Sequence, residues 1–424
     1  MSQEPFLSVV IPTRNRGHLV VDAIRSVLWQ SFDDYELIVS DNCSHDDTAQ
    51  AIRDVGGDRA RYVRPDRVLS MPDHWEFALD HARGRFVAYL CDDDVWVPGA
   101  LEKIAGILNE TRSDLVVTFS GIYNAPNWLD VNQQNILNLA PYTGTVREFE
   151  STATIRRIYS ECRVLNDIPR MLNSFCRRET LQRVRKEAGR IFLLCPDYSF
   201  AAMILTAMPA WLYVDEPLHL QGVFPEGIGS TQTFNRGEPS LEFAREFKEK
   251  EDKPLKHVPL KSLLVSNLIT DTLLLSKERM PALAEQQVDW ANYFMSCWND
   301  IGTLEGNGVN TTRDKEEFER VLSLQPTGVQ ESVNHKRNAV ESEPVVQRNK
   351  VKAAARTLIN SSRILTNLES RVRRKHSDTP NNRYVSLAGD EAGFRNILEC
   401  ARLVPELTNG ASNAPSRYNS ASEV

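Results

Sequence analysis

Strand-like and helix-like segments alternate regularly between Phe6 and Phe119. Short apolar runs such as Phe6–Ile11 and Tyr35–Ser40 are followed by segments with apolar residues at helical spacing, of which His18–Gln30 is the first. Short apolar runs are typical of strands that are buried on both faces, and their alternation with helices indicates a mainly parallel sheet covered on both sides. The sequence therefore predicts an α/β fold in which ligands bind beyond the carboxyl ends of the strands.

Composition places the chain among soluble globular proteins. Of its 424 residues, 41% are hydrophobic and 25% are charged, and the net charge of −7 gives no indication of nucleic-acid binding. The seven cysteines form no Cys-x-x-Cys pair, which favours reduced thiols. No apolar run reaches the roughly 18 residues of a membrane span, and the N-terminus lacks the pattern of a signal peptide. These features predict a cytoplasmic protein that binds no nucleic acid.

Changes in composition divide the chain into five predicted segments. They are a catalytic domain at 1–230, a helical extension packed on it at 231–301, a polar linker at 302–344, a basic amphipathic helix at 345–376 and a mostly flexible tail at 377–424. Within the basic segment, residues 348–375 carry many Lys and Arg side chains against the single acid Glu369. We interpret this stretch as a solvated helix, an oligomerisation seam or a helix that makes peripheral contact with an anionic membrane surface.

Three consecutive aspartates follow the fourth strand-like run. Asp92, Asp93 and Asp94 come directly after the run Arg85–Cys91. Adjacent carboxylates at the carboxyl end of a buried strand offer hard oxygen ligands for Mg²⁺ or Mn²⁺, which proteins usually hold through one or two carboxylates together with substrate phosphates. The triplet therefore predicts a site for a divalent cation at this edge of the sheet.

Two further loops are expected at the same edge. Pro12–Arg16 follows the first strand and Asp41–Thr48 follows the second. Because parallel strands present their carboxyl ends together, three strand ends should converge on one crevice. Hydroxyl and main-chain N–H groups of the first loop can bind a nucleotide, and an acid after the second strand can accept hydrogen bonds from a base or a ribose. Together with a cation on the diphosphate, this is the outline of a sugar-nucleotide site.

These pieces, in this order and at this spacing, resemble the N-terminal half of family 2 glycosyltransferases of the GT-A fold. The resemblance implies transfer of a sugar, with inversion, from a nucleoside diphosphate sugar (a UDP-sugar foremost) to a hydroxyl acceptor with the help of Mn²⁺ or Mg²⁺. It also implies a saccharide or lipid-linked saccharide acceptor and a role in cell-surface polysaccharide or lipopolysaccharide synthesis. It is close over residues 6–110 and weaker up to 230, and it is carried by LSVVIPTRNR, AIRSVLWQSFDDYELIVSDNCSHDDT and ALDHARGRFVAYLCDDDVWVPGAL.

The resemblance also implies roles for individual residues that bind the nucleotide sugar. Asp41 matches the acid that contacts the nucleobase, and Asp92 matches a carboxylate on the ribose or phosphate side. Arg14 departs from the family, which often has a tyrosine there, although a guanidinium can also stack on a base. The full set implied for nucleotide-sugar binding is Pro12, Thr13, Arg14, Asp41, Arg67 and Asp92.

Further matches concern the cation and the general base. Asp93 matches the main metal ligand and Asp94 an additional one, whereas Cys91 stands where many members have the first Asp of an Asp-x-Asp pair. Asp197 matches the catalytic base, because inverting transfer needs a carboxylate that deprotonates the attacking hydroxyl. Taken alone, an aspartate after Pro196 could equally be a helix N-cap, and the two roles are compatible.

Two rival functions and one rival ligand are weighed against this hypothesis. A sugar-nucleotide nucleotidyltransferase would need a glycine-rich loop after the first strand, where this chain has only Gly17. A catalytically silent sugar-nucleotide-binding scaffold is disfavoured by the joint presence of Asp41, Asp93 and Asp197, and donor turnover separates it from an enzyme. His219 could approach the metal, but a structural histidine is the simpler interpretation.

Overall fold

The computed structural model describes residues 4–246, 254–342 and 384–409. Within them, eleven strands form one sheet with helices on both faces. None of the helices in these ranges combines the length and the apolar character needed to cross a membrane. The predicted basic helix at 345–376, including residues 348–375, lies outside the described residues.

The strands range from two to fourteen residues in length. In chain order they are β1 (Leu7–Thr13), β2 (Tyr35–Asp41), β3 (Ala60–Val63), β4 (Phe86–Tyr89), β5 (Val95–Trp96), β6 (Leu115–Asn124), β7 (Ile136–Leu139), β8 (Val146–Glu150), β9 (Ser174–Arg177), β10 (Ala210–Val223) and β11 (Val385–Ala388). The helices are α1 (Gly17–Leu28), α2 (Thr48–Gly56), α3 (Met71–Asp80), α4 (Ala100–Thr111), α5 (Ser151–Glu161), α6 (Arg178–Ala188), α7 (Pro196–Ile204), α8 (Ile228–Phe234), α9 (Glu238–Glu246), α10 (Val265–Arg279), α11 (Trp290–Gly306), α12 (Thr312–Leu322), α13 (Thr327–Ser342), α14 (Gly389–Ala392) and α15 (Ile397–Asn409).

The sheet runs in the order β11-β7-β6-β9-β4-β1-β2-β3, and β10 pairs with β5, β6 and β8. The pairs among β1, β2, β3 and β4 are parallel, as is β6 with β10. The pairs that involve β5, β7, β8, β9 and β11 are antiparallel. The predicted α/β fold, a mixed sheet flanked by helices, is therefore confirmed. The expectation of a mainly parallel sheet holds only among β1, β2, β3 and β4, because the later strands, apart from the β6–β10 pair, join antiparallel.

Alternate residues of the central strands enter two different cores, because successive side chains of a strand point to opposite faces. Val10 and Val87 belong to the core on one face. Val9 and Ala88 belong to the core on the other face, together with apolar residues of α1 and α4. Burial on both faces explains why these strands are continuously apolar in sequence. It also leaves their polar carboxyl ends as the part of the sheet that can meet a ligand.

The structure differs from the predicted linker at 302–344, since most of its described residues lie in α11, α12 and α13. In α12, Phe318, Val321 and Leu322 are buried, and the ring of Phe318 packs against Phe294 and Trp298 of α11. Spacings of three and four residues place such side chains on one face of a helix. A narrow apolar stripe in a polar segment was therefore enough to form a packed helix.

The structure also differs from the predicted flexible tail at 377–424 over its described part. β11 pairs with β7, and α15 packs on the outer side of the sheet. Phe394, Ile397, Ala401 and Val404 are buried there in a third core with residues of β5 and β6. Ile397, Ala401 and Val404 lie in α15 at spacings of four and three residues, which places them on one helix face and gives this segment an apolar surface to bury.

Candidate functional site

The three strand ends that were expected to converge lie together in the structure. Thr13 at the end of β1 is paired in register with Asp41 at the end of β2. The Thr13 hydroxyl donates a hydrogen bond of 2.7 Å to Oδ2 of Asp92, which follows β4. Pro12 is buried at the same strand end. The sheet register therefore brings the predicted nucleotide loop and the acidic triplet into direct contact.

Asp41 is fully buried and accepts three hydrogen bonds. They come from the Tyr62 hydroxyl at 2.6 Å, Nη1 of Arg64 at 3.1 Å and the main-chain N–H of Ser44 at 2.8 Å. A buried carboxylate needs such partners to remain charged. Any nucleobase that contacts Asp41 would therefore also contact Tyr62 and Arg64. Sequence reasoning did not single out Tyr62, whose only signal was its place on β3 beside β2.

Arg14 lies in the loop after β1, but its guanidinium is engaged by a helix from later in the chain. It forms ion pairs of 3.1 Å with Glu242 and 3.2 Å with Glu246, both on α9. A carboxylate pair one helical turn apart thus holds this arginine at the edge of the crevice. Arg67, by contrast, is exposed on the loop between β3 and α3, and it makes no ion pair with an acid in the described parts of the chain.

Arg16 is a residue of the site that sequence reasoning missed. Its Nη1 lies 2.7 Å from Oδ1 of Asp92 and 3.2 Å from Oδ2 of Asp93, and its Nη2 donates to the main-chain oxygen of Glu226 at 2.8 Å. Burial opposes the charge of Arg16, but attraction to Asp92 and Asp93 outweighs it and raises the pKa of this guanidinium. Arg16 is therefore the resident positive charge of the acidic triplet.

Asp93 and Asp94 have different surroundings. Burial raises the pKa of Asp93 to about 7, and the neighbouring charges of Asp94 and Asp92 add to this effect, while Arg16 opposes it. Asp94 is held from β10, because its Oδ2 lies 3.0 Å from Nε2 of His219 and its Oδ1 accepts the N–H of Gly222 at 2.8 Å. Asp94 is thus held in place by β10. The carboxylate of Asp93 has a single positive neighbour, Arg16, which it shares with Asp92.

The surroundings of His219 agree with a structural role rather than a role as a metal ligand. The ring is 2% exposed and lies between Asp94 and Ser120, whose hydroxyl is 2.8 Å from Nδ1. Both ring nitrogens are therefore occupied by protein groups. The histidine orients Asp94 rather than facing the crevice.

Three ligand-type side chains form a compact donor set at this edge. The Sγ of Cys91 and one carboxylate oxygen each of Asp93 and Asp94 lie within 4.8 Å of one another. Two of these donors are carboxylates, which divalent cations such as Mg²⁺ and Mn²⁺ prefer. Arg16 balances the negative charge of Asp93 only in part, and the remaining charge also favours a bound cation. The residues present therefore fit a divalent metal ion.

Gly222 allows β10 to approach the acidic triplet. A Cβ atom at this position would lie 1.9 Å from the main-chain oxygen of Asp93. We expect Gly222→Ala to destabilise the fold by about 1–3 kcal/mol, because overpacking forces the backbone apart. The matched control is Gly106→Ala in α4, where a Cβ would meet no heavy atom within 4 Å and where Ala should stabilise by about 0.5–1 kcal/mol. Equal melting temperatures for the two variants would contradict this role of Gly222.

Asp197 lies in the first turn of α7, whose N-cap is Cys195. The alternative that Asp197 is itself the N-cap is therefore wrong. Its Oδ1 is buried without a hydrogen-bond partner. Burial raises the pKa of Asp197, against the opposing effects of Arg170 and the main-chain N–H of Leu172, and the charge of Asp94 adds to the increase. Asp197 thus has one buried, unpaired carboxylate oxygen, and the negative charge of Asp94 acts on it.

Comparison with known proteins agrees with the sequence resemblance. The model of the family described as glycosyl transferase family 2 matches residues 8–176. The chain is 39% identical over 109 residues to GalNAc(5)-diNAcBac-PP-undecaprenol beta-1,3-glucosyltransferase of Campylobacter jejuni, a match that covers 25% of this chain and 35% of that protein. It is 31% identical over 119 residues to UDP-Glc:alpha-D-GlcNAc-diphosphoundecaprenol beta-1,3-glucosyltransferase WfgD of Escherichia coli, covering 28% of this chain and 47% of that protein.

The matched region thus spans between a third and a half of the length of these two relatives. A solved structure of S. aureus TarS 1-349 in complex with UDP-GlcNAc aligns with 78% of this chain and 92% of that chain, at 14% identity and a TM-score of 0.44, a similarity too low to add to the assignment. The family model covers residues 8–176, and the two relatives match over shorter stretches. The chain is therefore similar to glycosyl transferase family 2 over its N-terminal part.

Proposed function

We propose that this chain is an inverting, metal-dependent glycosyltransferase that moves a sugar from a UDP-sugar to a hydroxyl acceptor. The observation that carries the proposal is the pairing of two acidic groups with different surroundings. Asp93 lies in a cation-type donor set at the end of β4. Asp197 has a buried, unpartnered oxygen within electrostatic range of Asp94. Asp93 could hold a cation at the departing diphosphate, and Asp197 could accept the proton of the attacking hydroxyl.

The nucleoside end of the donor is assigned to the strand ends of β1 and β2. Asp41, with Tyr62 and Arg64 around it, offers a carboxylate, a hydroxyl and a guanidinium to a base. Thr13 and Asp92 lie between this group and Asp93, where the ribose and the first phosphate would pass. Arg14 at the rim can stack on the base or stay with α9.

The diphosphate is assigned to Asp93, Asp94 and Arg16. Asp93 and Asp94 would hold the cation, which when bound supplies positive charge to the departing phosphate. Nη1 of Arg16 already lies against Asp92 and Asp93, and a guanidinium can bind phosphate oxygens as well as carboxylate oxygens. The guanidinium of Arg16 is therefore a second positive charge, which could bind the diphosphate by exchanging a carboxylate partner for a phosphate.

Asp197 is assigned the role of general base. A single displacement requires a carboxylate on the side of the sugar opposite the leaving diphosphate, which takes the proton of the attacking hydroxyl. Burial raises the pKa of Asp197, which makes its ionised form a stronger base. Its unpartnered Oδ1 leaves one oxygen available to that proton.

The acceptor is proposed to be a lipid-linked saccharide in a pathway of cell-surface polysaccharide synthesis. Support comes from the names of the two relatives, both of which refer to glucosyl transfer onto undecaprenol diphosphate-linked sugars. Such an acceptor would be met at the cytoplasmic face of a membrane. The basic segment 348–375 is proposed to make peripheral contact with that membrane. This segment lies outside the described residues.

Thermal unfolding with nucleotides tests the proposed site. A ligand that binds only the folded state at 100 times its Kd stabilises by about 2.7 kcal/mol. We expect UDP with Mn²⁺ to raise the melting temperature, EDTA to remove most of the rise, and Asp93→Asn to behave in Mn²⁺ as the wild type does in EDTA. Asp58→Asn, a change at an exposed acid after α2, should respond like the wild type. Absence of any rise with UDP, UDP-sugars or GDP-sugars in Mn²⁺ would count against the proposal.

A further inference from the structure

We propose that Cys91 is a cation ligand that makes this site a mixed sulfur–oxygen site, one that prefers softer divalent cations such as Cd²⁺ and Co²⁺ over Mg²⁺. The inference rests on the proposed function and specifies the cation that the same site selects. It concerns one of the two positions, Arg14 and Cys91, at which this chain departs from the family it resembles.

The backbone brings the thiol and the carboxylates together. The N–H of Leu90 donates to the main-chain oxygen of Val10 at 3.0 Å, which fixes the end of β4 against β1. The N–H of Asp94 then donates to the main-chain oxygen of Cys91 at 3.1 Å, so that residues 91–94 form a tight turn. This turn holds Sγ of Cys91 and the oxygens of Asp93 and Asp94 within 4.8 Å of one another.

The polar partners of the thiol belong to the acidic triplet itself. Sγ of Cys91 lies 3.8 Å from Oδ1 of Asp92, and the thiol also hydrogen-bonds to Asp93. Of the described cysteines, only Cys91 and Cys195 are partly exposed, and the other five are buried. Cys91 is thus partly exposed and close to two carboxylates, which distinguishes it from the five buried cysteines.

The chemistry of the donor set decides the preference. Oxygen donors suit Mg²⁺, which demands near-ideal octahedral geometry and gives up its water reluctantly. Thiolate donors favour softer ions, and the affinity of a given site rises from Mn²⁺ to Co²⁺ along the first transition row. One sulfur among two carboxylates should therefore weaken the site for Mg²⁺ relative to Co²⁺ and Cd²⁺, while Mn²⁺ takes an intermediate place.

Co²⁺ spectroscopy on the full chain tests the inference without relying on activity. We expect the wild type to show a sulfur-to-cobalt charge-transfer band when titrated with CoCl₂, and Cys91→Ser to lack that band and to bind Co²⁺ at least about tenfold more weakly, as measured by equilibrium dialysis. Cys195→Ser is the matched control and should keep the band. Cys91→Asp should lose the band and shift the ratio of Mg²⁺ to Cd²⁺ affinity toward Mg²⁺ by about tenfold.

Four outcomes overturn or separate the claims. Co²⁺ binding to the wild type without a charge-transfer band would show that Cys91 is not a ligand, as would a band that persists in Cys91→Ser. An unchanged ratio of Mg²⁺ to Cd²⁺ affinity in Cys91→Asp would also overturn the inference. An intact band in a wild-type protein that binds no UDP would support the sulfur ligand and contradict the proposed function alone.

Discussion

Replacing Asp197 with Asn is expected to lower kcat for sugar transfer by about 10²–10⁴-fold, the typical contribution of a general base. The amide keeps the shape of the carboxylate but cannot take the proton of the attacking hydroxyl. Donor binding should be unchanged, because the nucleotide is assigned to the ends of β1, β2 and β4 on the other side of the sugar. The measurement is UDP release with acceptor present, together with the Kd for UDP-sugar.

The melting temperature of Asp197→Asn shows whether the variant is folded. Burial raises the pKa of Asp197, so its ionised form costs folding free energy at neutral pH, and a neutral amide removes that cost. We therefore expect Asp197→Asn to melt no lower than the wild type. Glu179→Gln is the matched control, because Glu179 is an exposed acid in the first turn of α6. Near-normal transfer by Asp197→Asn, or an equal loss in Glu179→Gln, would rule out the assigned base.

Arg16→Met is expected to destabilise the metal-free protein by about 3–5 kcal/mol, the usual cost of removing one partner from a buried charge cluster. The side chains of Arg16, Asp92 and Asp93 are 16%, 4% and 10% exposed, so water screens them little. Without the guanidinium, two adjacent carboxylates remain with no resident counter-charge. Urea unfolding in EDTA measures the loss.

Arg25→Met is the comparison for this variant, because Arg25 is 53% exposed and pairs with Asp22 at 3.5 Å within α1. An exposed pair of this kind contributes about 0–1 kcal/mol. Mn²⁺ with UDP should recover part of the stability of Arg16→Met, since a cation can replace the missing charge at Asp93. Losses of equal size in the two variants, or no recovery with Mn²⁺ and UDP, would show that Arg16 does not balance the triplet.

The N-terminal part of the fold follows from local sequence patterns. β1, α1 and β2 were predicted to within one or two residues, because each strand is a short apolar run and each helix has a clear apolar face. The acidic triplet was also identified, since its position directly after a strand is visible in one stretch of sequence. These features depend on neighbours along the chain, and local patterns therefore suffice to predict them.

The partners within the site depend on contacts between distant parts of the chain. Arg16 meets Asp92 across 76 positions, and Gly222 meets Asp94 across 128. Such contacts are set by the register of β1 with β4 and by the path of β10, neither of which is encoded in a local pattern. The strands from β7 to β10 likewise lie beyond Phe119, where the regular alternation of strand-like and helix-like segments ends.

The C-terminal helices illustrate a second limit. α12 and α15 carry apolar residues on one narrow face among many polar ones, and this composition resembles that of a linker or a tail. Their stability comes from the surfaces that they cover, which are α11 for α12 and β5 with β6 for α15. Most helical stability in proteins comes from such packing rather than from intrinsic propensity. A polar helix of this kind becomes recognisable only when its partner surface is known.

The measurement that tests the proposed activity most directly is donor turnover with a defined acceptor. Wild-type protein would be incubated with Mn²⁺, UDP-glucose or UDP-GlcNAc, and a polyprenyl diphosphate-linked GlcNAc, and the product would be analysed by mass spectrometry and NMR. Inverting transfer predicts UDP release matched by one added sugar in β linkage, with no product from Asp197→Asn. UDP-sugar that binds without turnover, or an α-linked product, would contradict an inverting transferase, and the first of these results would identify the chain as a silent sugar-nucleotide-binding scaffold.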